Sequence, residues 1–352
     1  MKISEIYKVL IEDLLDVSAE QIVVLSGLIS EDGSKEITDT KIIEEFAVLI
    51  RQKGAFPVLD LATKSLKLRM LNETEAENYF IPKTYFSEWV KLINIIIDVS
   101  FPESRNLFTD NFFSTEKTAM VNESLQAIYK NMLIADKIVL LPNFPKTAIA
   151  EYYNIDLKVL ENFYLGTFEP VVNKMNVQGT KIINHVFPNE DYFLQKSSSE
   201  NILKIQISEQ QSYFVGNKIN NYYTVLPFGY VALSILKSSI NGVFEAEKVY
   251  YKNEYRDSVI ISFSFGNIQS IQCSGNDSFG EIIRNGLVNS KESVDLFIGV
   301  NNGVEACCNY HYYDRCINNN FSIVFYDEAN NIIEISSKSV QLSNSNQKNI
   351  LL

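Results

Sequence analysis

Apolar residues open the chain at helical spacing: Ile3, Ile6, Tyr7, Leu10 and Leu14 predict a helix over residues 3–16. A continuous apolar run from Gln21 to Leu28 then predicts a strand covered on both faces. Asp39 is placed to cap a helix whose apolar face is Ile42, Ile43, Phe46, Leu49 and Ile50, and Gly54 stands where a left-handed terminator belongs. Phe56 to Leu61 predicts the next strand, and strand, helix and strand in this order imply parallel pairing with a right-handed crossover. Lys91–Val99 and Lys137–Leu141 predict two more buried strands, with a long helix, Thr115–Leu133, between them. Asp156 opens a further helix through Phe168. The expected result is an open α/β domain with a mostly parallel sheet over residues 1–188.

The pattern then changes. Asn189 to Asn201, with Ser197-Ser198-Ser199, predicts a polar linker. Short alternating runs follow at Ile202–Ile207, Tyr222–Leu226, Val231–Leu236, Val243–Tyr250, Val259–Phe265 and Ile268–Cys273. Asp277 caps a helix to about Val288, and apolar runs at Asp295–Val300, Phe321–Tyr326 and Ile332–Ile335 complete a β-rich α+β domain over residues 200–342. Residues 343–352 predict a flexible tail.

Composition narrows the function. In 352 residues, 46% hydrophobic content suffices for two cores, and no stretch of about 18 uncharged apolar residues indicates a membrane span. The formal net charge of −12 argues against a nucleic-acid partner and against acidic membranes. The start, Met1-Lys2-Ile3-Ser4-Glu5, lacks the apolar core of a signal peptide, so a cytoplasmic location is expected. Cys307, Cys308 and Cys316, with Cys273, lack paired zinc-site spacing; reduced thiols are the expectation, with metal capture beside His311 the alternative. Only His185 and His311 are available as imidazoles, which leaves little room for serine or cysteine triad chemistry. Gly27 and Gly33 lack the spacing and the Lys of a phosphate-binding loop. Glu245 and Glu247 alternate on one strand and read as a solvated face, and Glu281 reads as exposed on a helix.

Pro227-Phe228-Gly229-Tyr230-Val231, with Asn241-Gly242-Val243 further on, resembles the second domain of the M29 metalloaminopeptidases, whose members carry P-x-G-E-V there. "RQKGAFPVLDL" and "PKTAIAEYYNIDLKVLENFYLGTF" resemble that family's first domain, and the likeness runs over about residues 20–335, clearest at 202–275. It implies a two-domain fold, a plausible homodimer, and a site built on metal ligands. The family's metal-binding Glu falls on Tyr230, and a neutral phenol cannot supply that anionic oxygen. Asp295 in "SVDLFIGVNNG" matches the second ligand position, or the third, where the family has His. The closing H-x-D is similar to "HYYDRC", giving His311 and Asp314 at H-x-x-D spacing; on a strand that slip sends the two side chains to opposite faces.

A hydrolytic two-metal centre needs about five or six ligands. The resemblance therefore implies a catalytically degenerate M29-like protein without cofactor that keeps the cleft and binds a peptide, such as a precursor peptide presented to modifying enzymes. The expected ligand-binding residues are Tyr230, Asp295, His311, Tyr312 and Asp314. Tyr222, Tyr223, Phe228, Tyr310 and Tyr313 crowd the same region, either as a recognition surface or as filling for space once held by metals. The alternative is an active enzyme, an aminopeptidase or an M29-like ring-cleaving dioxygenase, with one divalent zinc or iron at His311, Asp314 and Asp295.

Overall fold

The structure is a computed structural model. It describes residues 3–29, 39–75, 78, 83–99, 135–140, 144–145, 147–152, 154–168, 172–208, 213–215, 224–225, 229–251, 254–273, 278–303, 308–328, 331–345 and 350. The chain forms two compact units, one of Met1–Glu151 with Lys218–Leu226, the other of Tyr152–Asn217 with Pro227–Leu352.

In the first unit, strands β1 (Ile22–Ile29), β2 (Phe56–Thr63), β3 (Ile95–Asp98) and β4 (Lys137–Leu140) pair in parallel. The order is β2-β1-β3-β4, and a two-residue strand, Thr224–Val225 (β8 in chain order), closes it beside β4. The continuous apolar run behaves as expected: Val23, Val24 and Leu25 are all buried, as are Ile95, Ile96 and Ile97. Helix Asp39–Gln52 follows β1 and buries Ile42, Ile43, Phe46 and Ile50; Gly54 ends it at φ +79°. The opening helix, Ile3–Val9, runs into a π-helical turn over Leu10–Leu14. The predicted helix at 115–133 lies outside the described residues.

The second unit is built on an antiparallel sheet of eleven strands. They are β5 (Asp191–Lys196), β6 (Ile202–Gln206), β7 (Tyr213–Val215), β9 (Tyr230–Leu236), β10 (Asn241–Tyr251), β11 (Glu254–Ser264), β12 (Asn267–Cys273), β13 (Ser293–Gly299), β14 (Asn320–Tyr326), β15 (Ile332–Lys338) and β16 (Val340–Asn344). The main path is β16-β5-β6-β10-β15-β14-β13-β9-β7, with β11 and β12 branching from β10. One face packs into a large core that includes Val231, Leu233, Leu296, Ile298, Phe321, Ile323, Ile333 and Ile335, closed by helix Ser278–Val288 through Phe279, Ile283 and Leu287.

Several expectations are corrected by long-range pairing. The predicted linker at 189–201 contains β5, because Tyr192 and Leu194 alternate into the core and pair with Ile205 and Leu203. The start of the predicted flexible tail is a strand: Ser343 and Asn344 pair with Phe193 and Tyr192, and Ile350 is buried. The strand expected at 222–226 joins the first sheet instead of the second. Helix Leu157–Phe168, expected within the first domain, belongs to the second unit, as does helix Val172–His185, which the spacing did not predict.

Candidate functional site

The face of the antiparallel sheet opposite the core carries a cluster of polar side chains. Strand alternation fixes its membership, since successive side chains point to opposite faces. With Leu296 and Ile298 in the core, Asp295 and Phe297 must point the other way; register then defines two rows across five strands. Tyr250, Glu334, Val324, Asp295 and Ser234 lie side by side in one row. Lys248, Ser336, Ser322, Phe297 and Ala232 form the next.

Residues Cys308–Asn320 cross over these rows. Three features set their path. Asn309 turns the chain at φ +66°, the helical turn His311–Asp314 follows, and Asn319 turns it back at φ +57°. The approach to β13 is close: a Cβ at Gly299 would lie 1.9 Å from the Ile317 carbonyl oxygen, so only glycine fits there. Gly229, just ahead of Tyr230, has φ +106°, and a Cβ there would lie 2.5 Å from that of Asn301. The glycine of the quoted turn is thus required by backbone shape.

Arg315 and Glu334 form the centre. Arg315 is 7% exposed and Glu334 fully buried. Arg315 Nε donates to Glu334 Oε2 at 2.8 Å, and Nη2 lies 2.6 Å from the same oxygen as an ion-pair contact. The guanidinium carbon sits 4.3 Å from the centre of the Phe297 ring and 5.0 Å from that of Tyr312. Burial alone would push the Arg315 pKa down, but the Glu334 carboxylate more than offsets this and raises it. Glu334 Oε1 and Ser322 Oγ, both buried, have no hydrogen-bond partner among the described residues.

The expected site residues can now be placed. Tyr230 is 6% exposed, and its ring meets Phe297 edge-on at 5.4 Å. Asp295 accepts from Ser234 Oγ at 3.2 Å on one oxygen and from Tyr326 Oη at 2.8 Å on the other. Asp314 is buried; Oδ1 accepts from the Cys308 N–H at 2.8 Å and Oδ2 from Tyr250 Oη at 2.7 Å. Burial pushes the Asp314 carboxyl up to about 6, against the opposing pull of the Cys308 and Tyr250 bonds and the Lys248 charge. His311 is half-buried with Nε2 inside, its ring centre 4.1 Å from that of the half-buried Tyr312 and tilted 38° to it. Burial, then the Arg315 charge, holds the His311 imidazole well below its ordinary pKa, so it stays neutral.

His311 and Asp314 do not lie on a strand: Asp314 N–H bonds to the Tyr310 carbonyl and Arg315 N–H to that of His311, which curls the segment into a helical turn. Tyr310 and Tyr313 are fully buried in an aromatic cluster with Phe163 and Tyr164, and they act as packing. Tyr222, Tyr223, Phe228 and Cys307 lie outside the described residues. Of the described cysteines, Cys273 is half-buried, and Cys308 and Cys316 are buried. His185 is exposed at a helix end, its Nδ1 2.8 Å from the Lys181 carbonyl oxygen.

These residues do not fit a two-metal hydrolytic centre. Both oxygens of Asp295 and of Asp314 already accept internal hydrogen bonds, and a buried cation stands beside His311. Among the described residues, no three His, Cys, Asp or Glu side chains are grouped so as to hold a metal ion. Sequence reading missed Arg315, Glu334 and Tyr250. Glu334 did leave a signal: it is a lone charge inside the apolar run "IIEIS", and a strand position so placed needs a buried partner.

The two-sheet α/β architecture is the M29-type fold expected from the resemblance. AmpT from Thermus thermophilus matches it with a TM-score of 0.62 at 11% identity, over 99% of this chain and 96% of that one. The 2,5-dihydroxypyridine dioxygenase from Pseudomonas putida KT2440 matches with a TM-score of 0.59 at 8% identity, over 99% and 95%. No protein-family profile matches the sequence, and no curated protein matches it. At these identities the likeness is one of fold. Among the described residues no helix is long and apolar enough to cross a membrane.

Proposed function

We propose that this chain is a catalytically degenerate, metal-independent member of the M29-type fold that binds a peptide. The observation that carries this reading is the state of Asp295 and Asp314, whose four carboxylate oxygens each accept a hydrogen bond from within the protein. A carboxylate in that state is a structural anchor, because recruiting it to a metal would strand buried donors such as the Cys308 N–H. The half-buried Tyr312 and His311 form the accessible aromatic edge of the cluster and would offer contact area with one polar tip each. A homodimer and a cytoplasmic location remain part of this proposal.

Three measurements test it together. Metal analysis of protein purified without chelators should find less than stoichiometric zinc, manganese or iron. Aminoacyl and dipeptide substrates should then stay intact when each metal is added. Calorimetric titration with short peptides should give saturable binding that Tyr312→Ala weakens by about 1–2 kcal/mol, the scale of one aromatic contact. Stoichiometric metal with peptide turnover would replace this reading by the active metalloenzyme, and absence of binding at millimolar peptide would remove the peptide.

A further inference from the structure

One edge of the parallel sheet is left open. β2 is its outermost strand and, among the described residues, pairs only with β1. The Phe56 N–H donates to the Gln21 carbonyl at 2.8 Å, so by alternation Phe56, Val58 and Asp60 turn their backbone groups toward β1. Pro57, Leu59 and Leu61 turn theirs outward, the two leucines with an N–H to donate and Pro57 with a carbonyl only. Beside this edge lies an open cavity of about 420 Å³, lined by Ala47, Val48, Arg51 and Gln52 of helix Asp39–Gln52 and by Pro57. Leu59 continues the Pro57 face of the strand, and Val48 and Leu59 are both more than half exposed. Arg51 donates to the Ala55 carbonyl at 3.3 Å, its guanidinium carbon 5.7 Å from the centre of the Phe56 ring. It makes no ion pair among the described residues.

We propose that this edge is a docking site for an extended segment of a partner protein. The segment adds to β2 as a strand, seats an apolar side chain in the cavity and presents an acidic residue to Arg51. Backbone groups left open at alternate positions are complemented by another extended backbone, and the cavity beside them selects the side chain that comes with it. Apart from the ends of Arg51 and Gln52 the cavity walls are hydrocarbon, which an apolar side chain fills. A guanidinium without a carboxylate, in a chain of net charge −12, is complemented by an acid from outside. Pro57 sets the register. It withholds a donor at the start of the edge, so donation to the added strand begins at Leu59, and a second copy is discouraged from pairing along the whole strand. The site lies wholly in the first unit and is independent of the functional reading above, whose residues are all in the second.

The test pans a random heptapeptide library displayed on phage against the immobilised full-length protein. Enriched peptides are synthesised with a fluorophore and titrated by fluorescence anisotropy. They should alternate apolar residues and carry an Asp or Glu. Their Kd should rise about tenfold or more in Arg51→Glu and in Val48→Lys, and stay unchanged in Tyr312→Ala. Methylating the peptide's backbone nitrogens one at a time should abolish binding at every second position and spare the positions between, because an added strand turns alternate amides toward β2. That readout needs no variant to fold. The inference is overturned by the absence of an enriched family, by binding indifferent to Arg51→Glu, or by methylation effects without a two-residue period. Peptides lost in Tyr312→Ala instead would favour the functional reading and overturn this one. A wild-type dimer in sedimentation that Leu59→Pro abolishes would assign the edge to a second copy and overturn it as well.

Discussion

The two sheets of this protein solve the same problem differently. In the parallel sheet, β1 and β3 are buried along both faces, with Val23, Val24, Leu25 and Ile95, Ile96, Ile97 contributing to either side. In the antiparallel sheet one face carries Leu296, Ile323 and Ile335, and the other carries Asp295, Ser322, Glu334, Lys248 and Tyr250. A parallel strand must be covered on both faces by its crossover helices, so it has nowhere to keep a polar row. An antiparallel strand can give one face wholly to chemistry. Here that face is not left to water; the Cys308–Asn320 segment covers it, and each buried charge found an internal partner.

Substitutions on the two faces should therefore behave in opposite ways. The largest effect is expected for the charge pair: Arg315→Met or Glu334→Gln alone should cost about 3–5 kcal/mol, and the double variant less than the sum, as read by urea denaturation. An additive double variant would mean that the two groups do not act as a pair. Next is a contrast between neighbours on β14. Ile323→Ala, on the core face, should cost about 2–5 kcal/mol, whereas Ser322→Ala, one residue away, should be neutral or slightly stabilising because it removes a buried hydroxyl that has no partner among the described residues. Equal losses at the two positions would break the distinction between faces. Smaller again is Tyr250→Phe, which takes one donor from Asp314 and should cost about 1–3 kcal/mol.

The pH dependence sharpens the comparison at the smallest scale. Asp314 has a folded pKa raised from 3.8 to about 6, so the folded state holds the proton more firmly. Its contribution to stability is greatest below about pH 4 and is lost as pH rises through 6. His311 has a folded pKa well below its ordinary 6.5, so its contribution is present above 6.5 and is lost as pH falls. The two oppose each other over pH 4–6.5 and flatten the native profile there. Asp314→Asn should uncover the histidine, giving stability that falls on acidification below pH 6.5 more steeply than wild type by up to about 2–3 kcal/mol. His311→Asn should do the reverse, with stability rising as pH drops from 6 to 4. Chemical denaturation at a series of pH values checks both, and identical profiles for the variants and wild type would show that neither group titrates as its burial demands.

Much of the local structure was legible because it is written in spacing. The run at 21–28, the amphipathic helix closed by Gly54, and the alternation of most later strands need only neighbours within a few residues. The strand at 191–196 was read as linker because its polar positions, Asp191, Gln195 and Lys196, look like a loop until Tyr192 and Leu194 are seen to alternate. The strand at 224–225 was legible, but the sheet it joins was not, since pairing with β4 is a contact between distant parts of the chain. At the site, Tyr230, Asp295, His311 and Asp314 were singled out, yet their partners Ser234, Tyr326 and Tyr250 were not.

The amino-acid order alone determined most of the segments that become strands or helices, and that a phenol, Tyr230, stands at the start of β9 behind Gly229. Both follow from side-chain identity and short-range periodicity. Only the tertiary structure decided that Arg315 would face Glu334, and that both aspartates would spend their oxygens on internal donors. Those outcomes depend on register between strands and on where a covering segment lies, and register is fixed by the packing of the whole sheet.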